Sequence, residues 1–248
     1  MKLKRSVAVA ALMGAAAFSG SAFAGVTGNV GAVSTYMFRG LQQTSGAAIQ
    51  GGVDYSHDSG LYAGFWASNI GWGYGPGDTA GGTETDFYAG FTKALGDFTF
   101  DIGGIGYIYP EQFEDHGPSN VNTFEGYFGV SYSVLSFKYY YSPKYFGNGK
   151  STGYSDAVDE SYYSLSAAIP LSDSLKLTAS AGYTKTGEDV ALCYSLSNCE
   201  TKDSYVDYSV GLAKTIDESL SATFQVIDTT LKSDDPMVMI GIKKTFSL

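Results

Sequence analysis

From residue 25 to the C-terminus, apolar and polar residues alternate with a period of two, and no apolar run there reaches the roughly 18 residues a membrane helix requires. Ala47, Ile49, Gly51, Val53 and Tyr55 share one face of an extended segment, with Ala48, Gln50, Gly52, Asp54 and Ser56 on the other. Leu175, Leu177, Ala179, Ala181 and Tyr183 repeat the pattern opposite Lys176, Thr178, Ser180, Gly182 and Thr184. Further on, Val206, Tyr208, Val210 and Leu212 oppose Tyr205, Asp207, Ser209 and Gly211. Apolar faces that end in Tyr or Phe suit the aromatic girdles of a membrane interface. Two architectures share such strands: a soluble sandwich that buries the apolar face in protein, and a barrel that turns it to lipid.

Connection lengths separate the two. The alternation predicts about twelve strands of the roughly ten residues that a tilted crossing strand needs. They are Gly28–Arg39, Ala47–Ser56, Leu61–Ile70, Thr83–Lys93, Phe98–Tyr109, Val121–Tyr132, Leu135–Ser142, Ser161–Ile169, Leu175–Thr184, Ser204–Thr215, Leu220–Asp228 and Met237–Leu248. The tight connections are His57–Gly60, Ala94–Asp97, Ser133–Val134, Pro170–Ser174 and Ile216–Ser219. Between them fall the longer Gly40–Gly46, Gly71–Gly82, Pro110–Asn120, Pro143–Glu160, Lys185–Asp203 and Thr229–Pro236. Short periplasmic turns alternating with longer outside loops are what outer-membrane insertion produces, and a sandwich has no reason for them. Lipid offers no partner to a sheet edge, so the strands must close into a ring. The expected fold is therefore all-β, a transmembrane antiparallel β-barrel of about twelve strands with both termini periplasmic.

The final strand agrees, with Val238, Ile240 and Ile242 alternating to Phe246 and Leu248. An aromatic-ended terminal strand resembles the signal read by the bacterial barrel-assembly machinery, although here Leu248 is last and Phe246 stands two positions earlier. Lys244 falls on the apolar face, where it can snorkel near an interface but costs about 2–4 kcal/mol at mid-membrane. It belongs near the periplasmic rim.

The preceding residues set the compartment. Lys2, Lys4 and Arg5 form a positive n-region, Val7 to Phe18 a short apolar core, and Ala22-Phe23-Ala24 a small-residue cleavage site. Residues 1–24 are expected to be a cleaved signal peptide and 25–248 the barrel domain. Cleavage leaves 12 of the 15 basic residues against 25 acidic ones, a net charge of −13. Such a chain repels nucleic acid instead of releasing its counterions. At 15% aromatic residues it is not disordered. Cys193 and Cys199 are the two cysteines, and in an exported protein they are expected to form a local disulfide. The alternative is a metal pair, but neither His57 nor His116 is near in sequence and zinc needs further ligands. No metal or cofactor is expected.

Two stretches resemble a known family. Gly28-Asn-Val-Gly-Ala-Val-Ser-Thr-Tyr-Met-Phe-Arg-Gly40 looks like its first strand, ending in an aromatic-Arg-Gly turn. Ala48-Ile-Gln-Gly-Gly-Val-Asp-Tyr-Ser-His-Asp-Ser-Gly60, continued through Leu61-Tyr-Ala-Gly-Phe-Trp-Ala-Ser-Asn69, looks like the next two. The chain is similar in these residues to the TorF family of porin-like proteobacterial proteins, a conserved family formerly of unknown function. The resemblance implies an outer-membrane, porin-like protein and carries over no substrate and no functional residue.

No H-E-x-x-H or P-loop pattern occurs, and neither histidine falls on a predicted strand that would place it beside a serine. No catalytic residue is expected. The lumen is richer. Arg39, Gln50, Asp54, Glu84, Asp86, Asp101, Glu125, Lys138, Lys176, Asp207, Gln225 and Lys243 are predicted to point inward, with the lysines toward the periplasmic side. Charges facing across a bore either set ion selectivity or pair up and rigidify a filled lumen.

The long connections add Glu111, Glu114, Asp115, Asp156, Asp159, Glu160, Glu188, Asp189, Asp234 and Asp235, either solubilising and bridged to lipopolysaccharide through divalent cations or a mouth that concentrates cations. Trp72, Tyr74, Tyr145, Phe146 and Tyr154 are loop aromatics that pack the loops or stack on a sugar or quaternary amine.

The expectation is a porin-like channel of the Gram-negative outer membrane that passes small hydrophilic solutes passively, with modest cation preference. Its partners would be outer-membrane lipid, lipopolysaccharide and the assembly machinery. The alternative is a non-conducting barrel whose surface loops bind a ligand or partner.

Overall fold

Twelve antiparallel strands hydrogen-bond in an unbroken ring in the computed structural model, each beside its neighbour in sequence. The structure describes residues 25–71, 81–110, 122–146, 157–195, 198–231 and 235–248, without the side chain of Tyr194. The proposed signal peptide, with its Ala22-Phe23-Ala24 site, lies outside the described residues. The ring runs β1 (Gly25–Val33), β4 (Ala48–Ser56), β5 (Leu61–Ile70), β6 (Gly82–Leu95), β7 (Phe98–Ile108) and β8 (Thr123–Tyr132). It continues through β9 (Leu135–Ser142), β10 (Glu160–Ser172), β11 (Leu175–Ser195), β12 (Asn198–Thr215), β13 (Leu220–Thr229) and β14 (Met237–Ser247), which pairs back onto β1. Two short strands, β2 (Met37–Phe38) and β3 (Leu41–Gln42), form a separate pair.

The period-two pattern turns one face outward all round the ring. Ile49, Ile102, Leu165, Val210, Val238, Ile240 and Ile242 are exposed there, while Ala48, Thr178, Tyr205 and Met239 from the alternate positions are buried. Outward aromatics gather at both rims. Tyr55, Phe98, Tyr132 and Phe246 sit at the short-turn end. Near the long-loop end, Tyr163 of β10 is paired with Tyr139 of β9 and Tyr183 of β11, ring centroids 4.9 and 6.3 Å away. Such belts let one side chain face lipid and headgroup at once. Lys244, outward between Val30 and Leu220 in register, lies at the short-turn end. Gly25 and Leu248, the first and last described residues, are at that end too.

Inward tyrosines lie flat against the wall because a glycine on the next strand leaves room. A Cβ on Gly64 would meet Tyr88 side-chain atoms at 2.6–2.7 Å, and one on Gly90, Gly103 or Gly182 would meet Tyr62, Tyr127 or Tyr162 within 2.6 Å. Aromatic cover of strand glycines stiffens the sheet without filling the bore.

Two departures from the sequence expectation matter. Gly28–Arg39 is not one strand. The last wall pairing is Val33 with Ala48, after which both legs of the connection leave the wall together. They are tied by Tyr36 N–H to Thr44 Oγ1 and Gln43 N–H to Tyr36 O, both 2.8 Å, and turn at Arg39-Gly40 between Phe38 and Leu41. Positive φ at both turn residues, 49° and 77°, is the signature of the tight hairpin turn whose twist suits two strands. The signal was the run Tyr36-Met37-Phe38, apolar on both faces and so unfit for a wall with one apolar outer face and one polar inner face.

The second departure is Lys185–Asp203, expected as a loop. It is largely sheet: β11 and β12 run on as a hairpin with a bulge between Lys185 and Val190, tied by the Cys193–Cys199 disulfide. Ion pairing of Lys185 with Asp203 clasps the base of this extension. That contact holds the exposed Asp203 carboxyl below the usual carboxylate range.

Candidate functional site

The inner hairpin β2–β3 crosses the bore. In a ring of twelve, β1 stands opposite β9, and Arg39 reaches β8 and β10, the two strands that flank it. Arg39 Nη2 lies 2.6 Å from Glu125 Oε2 and Nη1 2.6 Å from Glu160 Oε1. Its Cζ stands 4.2 Å from the Tyr162 ring centroid, 4.7 Å from Phe38 and 5.1 Å from Tyr140. The side chain is only 6% exposed and both carboxylates are fully enclosed. A buried charge is tolerable only when paired and hydrogen-bonded, and a two-sided clamp on a planar guanidinium meets that condition.

Apolar side chains anchor the hairpin on every side. Tyr36 joins a cluster with Tyr62, Ile70, Tyr88, Ile105, Tyr107 and Tyr109, Met37 packs with Ile227 and Met239, and Leu41 packs with Tyr145, Val158, Val190, Leu192 and Leu231. Tyr36 also donates to Glu84 Oε1 at 2.7 Å, while Tyr109 donates to Glu84 Oε2 at 3.0 Å. Tyr205 donates to the Arg39 carbonyl at 2.9 Å. At the tip, a Cβ on Gly40 would lie 2.5 Å from Thr229 Cγ2 and 2.7 Å from Asp207 Cβ, so the turn fits only as glycine.

The lumen therefore has two halves. Toward the long loops, Glu84, Asp86, Glu125, Glu160, Asp207 and Gln225 are buried around Arg39. Asp86 Oδ1, Glu125 Oε1, Glu160 Oε2, Asp207 Oδ2 and Gln225 Oε1 have no hydrogen-bond partner among the described residues. Five buried carboxylates thus share this half with one guanidinium, and two of them hold it. Toward the short turns, inward groups remain in reach of solvent: Lys138 and Asp101 pair at 2.8 Å with side chains 30% and 15% exposed. Tyr62 donates to Asp101 at 2.6 Å, and Tyr88 donates to Asp54, which also accepts from Asn29 at 3.4 Å. Gln50 and Lys176 are half-buried, and Lys243 is exposed at the short-turn rim.

Arg39 thus lies deep in the bore on the inner hairpin, not on a wall strand as its place in the alternation suggested. Glu160, read as a loop residue, is the first residue of β10 and half of the Arg39 clamp. Its spacing of two from Tyr162 was the available signal. Tyr145 and Phe146, read as loop aromatics that either pack the loops or stack on a ligand, pack inward. Phe146 lies 5.8 Å from Phe38 and 5.3 Å from Tyr107 between ring centroids. Trp72, Tyr74, Tyr154, Glu111, Glu114, Asp115, His116, Asp156 and Asp234 lie outside the described residues. His57, in a short turn, uses Nδ1 to bind Ser59 Oγ at 2.8 Å and Ser59 N–H at 3.1 Å.

Ring, polar bore and apolar outer wall together define a closed twelve-stranded antiparallel β-barrel. Within that class the chain belongs to the Gcw_chp family, described as a bacterial protein of unknown function, whose pattern matches residues 16–245. No curated protein matches it. Among solved structures it is similar to the NanC porin in a rhombohedral crystal form, at 8% identity and TM-score 0.52 over 90% of this chain and 100% of the other. It is likewise similar to a chain from a study of the in-meso crystallisation of membrane proteins, at 10% identity and TM-score 0.56 over 91% and 84%. At these identities the likeness speaks for the barrel architecture alone.

Proposed function

We propose that the protein is a porin-like channel of the Gram-negative outer membrane, exported through a cleaved signal peptide, that passes small hydrophilic cations in preference to anions. The observation that carries this reading is the charge of the enclosed half of the bore, five carboxylates against Arg39. An acidic constriction with low-dielectric walls attracts cations and rejects anions. The TorF-like residues Gly28–Gly40, which include the crossing turn, agree with it. Long loops face outward and the termini face the periplasm, where Lys138, Lys176 and Lys243 line the wider half. Lipid, lipopolysaccharide and the assembly machinery are its partners in this reading, and no reaction is catalysed.

The purified mature protein in a planar bilayer under a salt gradient should give discrete conductance steps with a cation-selective reversal potential. Anion selectivity would overturn the preference, and a silent bilayer the channel itself. One observation favours a second reading, a plugged barrel that binds through its exterior: Met37 at the hairpin is wholly buried and Tyr36 nearly so. Currents that appear only after the hairpin is deleted would select that alternative.

A further inference from the structure

The seat of the Arg39 guanidinium has the composition of a ligand site. Four of the five groups that surround it, Glu125, Glu160, Tyr140 and Tyr162, belong to wall strands, and only Phe38 arrives with the hairpin. The two carboxylates address different N–H edges of one planar cation while the rings approach within 4.2–5.1 Å of its centre. Carboxylate forks plus aromatic faces suit guanidinium better than an ammonium point charge. The seat also offers more than its occupant uses, because Glu125 Oε1 and Glu160 Oε2 are fully buried and unpartnered among the described residues. No cluster of three acidic, His or Cys side chains among the described residues is placed to hold a metal ion, so an inorganic divalent cation is a poorer fit.

We propose that this wall seat recognises solutes bearing a guanidinium group, arginine and its derivatives among them, and that Arg39 is its tethered internal occupant, displaced when such a solute binds. Delivery of the solute rests on the channel reading; binding at the seat does not. A side chain held on a short tether competes at an effective concentration in the millimolar range, so the free ligand shows itself best once Arg39 is gone.

The test uses Arg39→Gly in detergent micelles, titrated with guanidinium chloride at millimolar concentrations, far below denaturing ones, and at constant ionic strength. The midpoint of heat-modifiable gel migration is read, since a ligand that binds only the folded state raises it. In Arg39→Gly the midpoint should climb and saturate. It should climb less, and at higher concentration, in the unsubstituted protein, where the tether competes, and stay fixed in Arg39→Gly carrying Glu125→Gln and Glu160→Gln; sodium or tetramethylammonium should not substitute. A variant that folds only with guanidinium in the refolding mixture supports the proposal equally, because the ligand then supplies what the side chain did. Three results overturn the proposal: a folded Arg39→Gly indifferent to guanidinium, an equal response to sodium, or a variant that folds under neither condition. The readout is binding and not current, so a silent bilayer would remove the channel reading and leave this one standing.

Discussion

A single turn residue, Arg39, is the only cation in contact with the buried carboxylates Glu125 and Glu160 among the described residues. Breaking a buried ion pair from one side strands the other charge, at about 3–5 kcal/mol in a closed interior. Water can enter from the short-turn half of the bore, so Arg39→Ala should fall at the lower end of that range. Its heat-modification midpoint should drop, and adding Glu125→Gln with Glu160→Gln should recover part of the loss, a coupling that a double-mutant cycle measures. Gly64→Ala acts differently. The nearest atoms to the added methyl all belong to the Tyr88 side chain, which must swing off the wall and give up its hydrogen bond to Asp54. Stability should change by about 1 kcal/mol, while single-channel conductance falls as the ring enters the bore. Parity in the sequence made Glu84, Asp86, Glu125 and Asp207 legible as inward residues. It could not tell that Glu160 shares a guanidinium with Glu125, because that depends on a turn 121 residues away.

At the scale of elements, alternation reads the wall and misreads whatever leaves it. Strands such as Leu61–Ile70 and Leu135–Ser142 stand where the periodicity puts them, because an apolar outer face and a polar bore enforce a period of two. The inner hairpin obeys no such rule, since its environment is protein on all sides. The outer hairpin was hidden for another reason: only Val190 and Leu192 mark its inner face, which is buried against Leu41, Tyr145 and Val158, and two apolar residues in a polar stretch are too short a periodic signal. These two elements predict separable behaviour. Cys193→Ser with Cys199→Ser should remove roughly 2 kcal/mol of local constraint and increase protease cleavage in the outer hairpin, with no shift of the barrel's own thermal transition. Replacing residues 34–47 by a short glycine-containing turn should raise conductance about twofold or more, given the width available to twelve strands. Gly40→Ala should move in the same direction, because its Cβ has no room against Thr229 and Asp207.

For the molecule as a whole, the alternation of short and long connections is enough to give the ring, its strand count and its two unlike ends. The filling of the bore was not legible, because a segment can fold inward or outward with the same length and composition. The ring is sealed where β1 meets β14, joining Val33 to Gly241 across most of the chain's length. That seam cannot form until the last strand has been delivered. Yet Gly40, near the beginning, touches Thr229 and Asp207 of strands that arrive late. A chain that emerges N-terminus first therefore carries its internal crosspiece before it has an interior, and the wall must be wrapped around that crosspiece, or admit it afterwards through the long-loop mouth. Contacts so distant in sequence make assembly slow, and the order in which crosspiece and seam settle becomes part of the problem that folding of this barrel has to solve.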